Sequence, residues 1–464
     1  MQKQSFTKRR VIITPNNSPS LNTFSASEFP NIQFVLSNQN GMLDPRTLRL
    51  NYKLNIVKGA NTRVANNPVA TQSATNGVSL NNRAGSMAVI GQVNVSSMNG
   101  RNIETLQNYN RYVSTFTPNT ENQFDLINTL STGDPFVSSK SVVACRQANV
   151  PTTHSVPLKT GFLSGSTPIN LSTKGFHGLN INIQLTQNSN AVGPFTFFTD
   201  STNGTPTRTI VQCSDTTYEY KLSDVFLSYD IYVPSDIVFN SMPSSGQFVF
   251  NSINSLTSTL IANDSTTTLR LGVKNVLSIT HSLIPAIHQN NQKMDSLALP
   301  PLTTGANATS FGAYAPLNSI QYMRGGLLFP YNYILDSETQ AQEGNPSAQI
   351  VEPALHSCTL YEDGHHGMNP LTNTSPGINN IPQFAVNPSN INGGVSLAQA
   401  PDADSNFILG IPCDSQKVGV DYSMSDYAFR IKSDINGQTP FQMFTFVRCR
   451  NVALYSPTGI EVVE

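Results

Sequence analysis

The sequence is short of charge. Lys, Arg, Asp and Glu together make up 12% of its 464 residues, against roughly 25% in an ordinary soluble domain, and Asn, Ser, Thr and Gln stand in their place. So weakly charged a surface repels its neighbours little. That fits a surface meant to be buried against copies of itself; a secreted or glycan-coated β protein is the other reading. The net charge of −1 argues against bulk neutralisation of nucleic acid, which takes many Lys or Arg at phosphates. Basic residues gather at Lys3, Lys8, Arg9 and Arg10, either as a short arm touching an anionic partner or as a solvated terminus.

Paired cysteines, apolar runs and catalytic motifs are missing too. Cys145, Cys213, Cys358, Cys413 and Cys449 are scattered without a Cys-x-x-Cys, a poor disulfide framework and a poor zinc site, and point to a reducing compartment. No stretch approaches the ~18 apolar residues of a membrane-spanning helix. Met1–Arg10 is polar and basic with no apolar core after it, unlike a secretory signal. There is no Walker-type phosphate loop, no nucleophile elbow and no interleaving of aromatic with basic residues for base stacking. Two clusters come nearest to a metal site. His356-Ser-Cys358 with Asp363, His365 and His366 offers nitrogen, sulfur and oxygen donors but lacks the repeated spacing of zinc ligands. Asp402-Ala-Asp404-Ser-Asn406 begins like a calcium loop, yet Phe407 and Cys413 stand where that loop needs Gly and Glu. The expectation is no catalytic residue, no cofactor and no metal.

What the chain does have is short alternating strands from end to end. Ile32–Leu36, Leu48–Ile56 and Leu179–Leu185 alternate apolar with polar residues, as half-buried strands do. Each half closes on a long strand-like run, 218–233 in the first and 441–456 in the second, the latter followed by Gly459–Val463. Tyr322–Pro330 carries a Gly-Gly bend within a strand-like run, and Leu269–Val273 and Val276–Ile284 read as further strands. Helical spacing is confined to 103–116 and 336–343, so a parallel α/β fold is excluded and an all-β sandwich or barrel is expected. Residues 59–84 and 362–406, rich in Asn and Gly without periodicity, read as long loops. Residues 1–27 read as an N-terminal arm that serves assembly rather than folding. The expected domains are then 28–240 and 241–464, punctuated by Pro234, Pro243 and Gly246.

These segments resemble a known family. Ile32–Leu36 followed by Asp44-Pro-Arg-Thr-Leu-Arg-Leu50, Val93–Gly100 followed by Ile103-Glu104 and Asn108-Tyr109, Val156–Leu185, Tyr218–Pro234 and Arg324–Pro330 are similar in order and pattern to the strands of double jelly-roll major capsid proteins. That group serves the small and medium double-stranded DNA viruses: polintons, adintoviruses, polinton-like viruses and virophages. The resemblance implies two tandem antiparallel eight-stranded jelly rolls with short helical insertions. It also implies a homotrimer that forms a pseudo-hexameric capsomer, tiles an icosahedral virion shell and meets penton and minor capsid proteins. Such a protein is made in the host-cell interior and neither reads nucleic-acid sequence nor spans a membrane. A minor or penton-type capsid protein, a non-viral carbohydrate-binding β-sandwich and a two-domain hydrolase of cupin or sandwich type, for which only the 356–366 cluster speaks, are the alternatives.

Overall fold

The structure is a computed structural model and describes residues 6–37, 41–58, 75–80, 84–120, 151–199, 206–210, 218–260, 264–285, 317–336, 353–354, 356–358, 409–413, 419–433 and 441–463. Strands of the first half are β1 (Phe6–Ile13), β2 (Thr23–Ser25), β3 (Asn31–Leu36), β4 (Met42–Lys58), β5 (Thr75–Leu80), β6 (Ile90–Ser97), β7 (Asn102–Gln107), β8 (Thr152–Pro157), β9 (Ile169–Asn170), β10 (Leu179–Leu185), β11 (Val192–Thr199), β12 (Pro206–Ile210) and β13 (Tyr218–Pro234). Helix α1 (Tyr109–Thr120) follows β7, and a short helix, Asp236–Ser241, leads out of β13. The second half continues with β14 (Gly246–Leu260), β15 (Asp264–Leu269), β16 (Val276–Pro285), β17 (Leu317–Arg324), β18 (Leu327–Leu328), β19 (Leu335–Asp336), β20 (Leu409–Pro412), β21 (Tyr427–Ser433), β22 (Phe441–Ser456) and β23 (Gly459–Val463).

The pairing order defines the architecture. In the first half one sheet runs β1-β13-β4-β8 and another β3-β10-β6-β7. Counting those eight strands along the chain, the orders are first-eighth-third-sixth and second-seventh-fourth-fifth. In the second half the sheets run β14-β22-β16-β20 and β15-β21-β17-β18, which in chain order is the same pair of sequences. First with eighth, second with seventh, third with sixth and fourth with fifth are the rungs of one long hairpin, rolled so that alternate rungs fall in opposite sheets. That is a jelly roll, and the chain contains it twice. No strand pairing among the described residues crosses from one half to the other.

Alternation explains the packing. In β10 the burial runs Leu179, Ile181, Ile183 and Leu185 inward with Asn180, Asn182 and Gln184 between them. Phe34, Leu50, Leu54, Val93, Val95, Leu227 and Ile231 meet them from the other strands of that half. The second half is built the same way around Ile279, Leu283, Ile320, Phe429, Met443 and Val447. Gly325 and Gly326 both hold positive φ, 57° and 82°, as a tight hairpin turn requires, and join β17 to β18.

Four expectations are corrected. Residues 6–13 are not an arm ahead of the fold: they form β1, hydrogen-bonded along its length to β13 from Phe6↔Pro234 to Ile13↔Leu227. The first jelly roll thus begins near residue 6 rather than 28. The stretch 59–84 is not wholly loop, because β5 pairs with β11 in a small extra sheet. Residues 103–107 are strand rather than helix: Ile103 and Leu106 lie on β7, Asn108 turns the chain at φ 53°, and the helix starts at Tyr109. Strand β15 ends at Leu269, ahead of the expected 269–273. At 336–343, Asp336 pairs with Ser319 in β19 and the remainder, like 362–406, lies outside the described residues.

Candidate assembly site

The basic cluster sits on an edge strand. Lys8 Nζ lies 2.9 Å from Asp230 Oδ2 and Arg10 Nη1 2.9 Å from Asp230 Oδ1, while Arg10 Nη2 donates to Ser228 Oγ at 3.1 Å. Burial pushes the Asp230 carboxyl up, but the Lys8 and Arg10 hydrogen bonds and charges outweigh it and hold the carboxyl below its usual range. Strand alternation puts Lys8 and Arg10 on one face of β1 and Arg9 with Val11 on the other. Two of the cations read as an arm are therefore held by their own sheet; Lys3 lies outside the described residues.

Of the metal candidates only His356, Ser357 and Cys358 fall among the described residues. His356 is exposed, whereas Ser357 and Cys358 are buried, Ser357 Oγ lying 2.8 Å from Thr280 Oγ1 and donating to the Ala354 carbonyl at 2.6 Å. Burial pushes the Cys358 thiol up to about 12, which keeps it a thiol rather than a ligand-ready thiolate. Asp363, His365, His366 and 402–406 lie outside the described residues, and among those described no three His, Cys, Asp or Glu side chains come together. Cys358, Cys413 and Cys449 are buried.

The most highly built polar site joins the two halves. Glu104, on β7, is 3% exposed. Its Oε1 accepts the Gly161 N–H at 2.9 Å and the Ile253 N–H at 2.8 Å, and its Oε2 accepts the Phe162 N–H at 2.8 Å. Burial raises the carboxyl above its ordinary value, and the donors from Phe162, Thr160, Ile253 and Gly161 oppose that rise. One side chain of the first jelly roll thus ties a loop of its own half to β14 of the second. Gly161 makes the approach feasible, since a Cβ there would run into the Asn251 carbonyl.

Around this point the contact is aromatic. Phe162 packs edge-on to Phe250 at 5.0 Å and to Phe248 at 5.8 Å, and Phe176 meets Phe248 at 5.4 Å and Tyr455 at 6.4 Å. Beyond it Tyr112 and Phe116 of α1 lie against Phe446, and the Arg111 guanidinium sits 5.9 Å over the Phe444 ring. Lys174 Nζ donates to the carbonyls of Phe239, Asn240 and Met242 at 2.9–3.1 Å, closing the C-terminal end of the connecting helix as a cation does best. What the arrangement does is mechanical: it fixes the relative orientation of two similar lobes. Sequence reasoning missed it, because the Glu104 partners lie 57, 58 and 149 residues away and leave no local pattern.

No protein-family model and no curated protein matches the sequence. Solved structures do match, and over nearly the whole chain. PBCV-1 VP54, fitted into a cryo-EM reconstruction of the virophage Sputnik, superposes with a TM-score of 0.56 at 10% identity, covering 100% of this chain and 98% of that one. The Faustovirus major capsid protein gives 0.53 at 11% identity, covering 97% and 91%. A chain of the Sputnik virophage gives 0.51 at 9% identity, covering 98% and 88%. The fold is the double jelly roll of these viral proteins.

Proposed function

We propose that this protein is the major capsid protein of an icosahedral double-stranded DNA virus, a structural subunit whose trimers form pseudo-hexameric capsomers. The observation that carries the reading is the repetition of one eight-strand order in both halves, locked at a fixed angle by the Glu104 junction. Three such chains present six similar lobes, and six similar lobes tile a near-hexagonal lattice. The full-length fold likeness to the Faustovirus major capsid protein supports the same reading. The two lobes are taken as domains that divide at the helix Asp236–Ser241. Partners follow from the role: copies of itself, neighbouring capsomers, and penton and minor capsid proteins, with Arg9, exposed on β1, a basic side chain placed for such contacts. The protein's place is the virion. Light scattering and negative-stain microscopy of the purified chain test this. The expected result is a mass three times the 50.4 kDa of one chain and six-lobed discs; a stable monomer at micromolar concentration would overturn it.

A further inference from the structure

We infer that the first jelly roll carries a binding site for a neutral sugar, the terminal hexose of a glycan, in a groove at the end of the roll opposite the connecting helix. Ala26, Pro30 and Leu185 supply the apolar part of the groove, and Ser27, Gln184, Gln187 and Asn188 the polar part. Its volume is about 310 Å³, at the lower end of the ~300–1,000 Å³ of small-molecule sites, which suits one sugar ring rather than a long chain. Strand β13 passes the groove at Tyr220, whose N–H donates to Asn188 Oδ1 at 3.4 Å. The connecting helix Asp236–Ser241 begins beyond Pro234, about 45 Å further on at ~3.3 Å per residue.

The lining selects the ligand by its chemistry. It holds no Lys, Arg or His to attract a phosphate or a carboxylate, and no Asp or Glu to hold a cation. The exposed Glu28, next in the chain after Ser27, disfavours an acidic sugar further. Three amides and a hydroxyl offer donors and acceptors together, and a sugar hydroxyl is itself both donor and acceptor. The Asn188 carbonyl oxygen is taken by Tyr220, so its amide N–H groups are what it has left to offer. Gln184 and Gln187 are exposed, and their amides stand open to a ligand. The apolar part faces the C–H side of a pyranose ring, and Phe29, next to Pro30 and 49% exposed, adds an aromatic face of the kind that packs against such C–H groups. The frame beneath is fixed by backbone bonds: the Leu185 N–H donates to the Pro30 carbonyl at 2.7 Å, the Thr186 N–H to the Val89 carbonyl at 2.9 Å and the Phe29 N–H to the Ser25 carbonyl at 3.1 Å. Polar groups on a rigid frame bind without first having to be ordered.

Saturation-transfer NMR on the full chain tests it, with the methyl glycosides of glucose, galactose, mannose and N-acetylglucosamine as probes and sialic acid and inorganic phosphate as charged controls. At least one neutral glycoside should receive saturation at millimolar concentration, and neither charged control should. Gln184→Ala with Gln187→Ala should weaken that binding about tenfold, the loss of one or two ordinary hydrogen bonds, and Phe29→Ala should weaken it as well. These side chains are exposed, so the thermal transition of each variant should match the wild type and separate lost binding from lost fold. Silence from every neutral glycoside, a preference for the charged controls, or an undiminished signal in both variants would overturn the site. The site stands apart from the capsomer reading: a wild-type monomer that binds a neutral glycoside through these residues would sink the capsomer and support the groove.

Discussion

Replacing Glu104 tests whether the junction holds the two lobes as one body. Glu104→Ala leaves the N–H groups of Gly161, Phe162 and Ile253 facing a buried gap, each having bonded the carboxylate at 2.8–2.9 Å. An orphaned buried donor costs about 1–3 kcal/mol. With entering water and the usual non-additivity, the three together should cost about 4–6 kcal/mol, a large share of the 5–15 kcal/mol that ordinarily holds a domain. Glu104→Gln keeps one acceptor oxygen and sets an amide N–H against one donor, so about half that loss is expected. Burial raises the wild-type carboxyl, so the folded chain binds a proton in the range just above the ordinary carboxyl value where the unfolded chain has lost it. Stability therefore falls as pH rises through that window, and Glu104→Gln removes this slope. Calorimetry of the variants and amide exchange at Gly161, Phe162 and Ile253 are the assays. A Glu104→Ala protein within about 1 kcal/mol of wild type, with those amides as protected as before, would refute the argument.

Gly161→Ala should strain the same junction, because the added methyl meets the Asn251 carbonyl; a loss of about 2 kcal/mol or more is expected, and an unchanged thermal transition would count against the close approach. Deleting residues 2–13 removes β1 and should unfold the first jelly roll, whereas deleting 2–5 should leave its circular dichroism intact; equal spectra for both would return the segment to the role of an arm. His281 is buried between Thr445 and Tyr427, and burial lowers its pKa to about 3. The unfolded chain therefore gains a proton below about pH 6.5 that the folded chain refuses, so stability should drop by up to about 5 kcal/mol as pH falls toward 3; a His281→Gln protein showing the same acid slope would contradict this. Asp230→Asn should cost no more than about 1 kcal/mol, since Lys8 and Arg10 are about half exposed and screened, as a urea titration would show.

Much of the fold was legible in the chain. Leu179–Leu185 and Leu48–Ile56 alternate so regularly that their inward faces follow from the letters alone, because one sheet face meets the core and the other meets water. The closing strands at 218–233 and 441–456 marked two similar units. The edge strand β1 was hidden for a physical reason. Val11 is its one buried side chain, and the Lys8-Arg9-Arg10 run masks the alternation of a strand that is largely solvent-exposed. The β7–α1 boundary was hidden as well, since Ile103, Leu106, Tyr109, Tyr112 and Val113 suit a helical period whether or not Asn108 breaks it.

The sequence by itself determined the class: period-2 strands with little charge make an all-β sandwich protein whose surface tolerates close neighbours, because those properties are local or additive along the chain. Only the tertiary structure decided the rest. The strand order, the membership of β1 in the first roll, the pairing of Lys8 and Arg10 with Asp230 more than 200 residues away, and the Glu104 tie between the halves all depend on which distant segments meet. A carboxylate, a glycine and four aromatic rings become a rigid joint only when folding brings residues 104, 161, 162, 176, 248, 250 and 253 to one place. No spacing rule records that encounter.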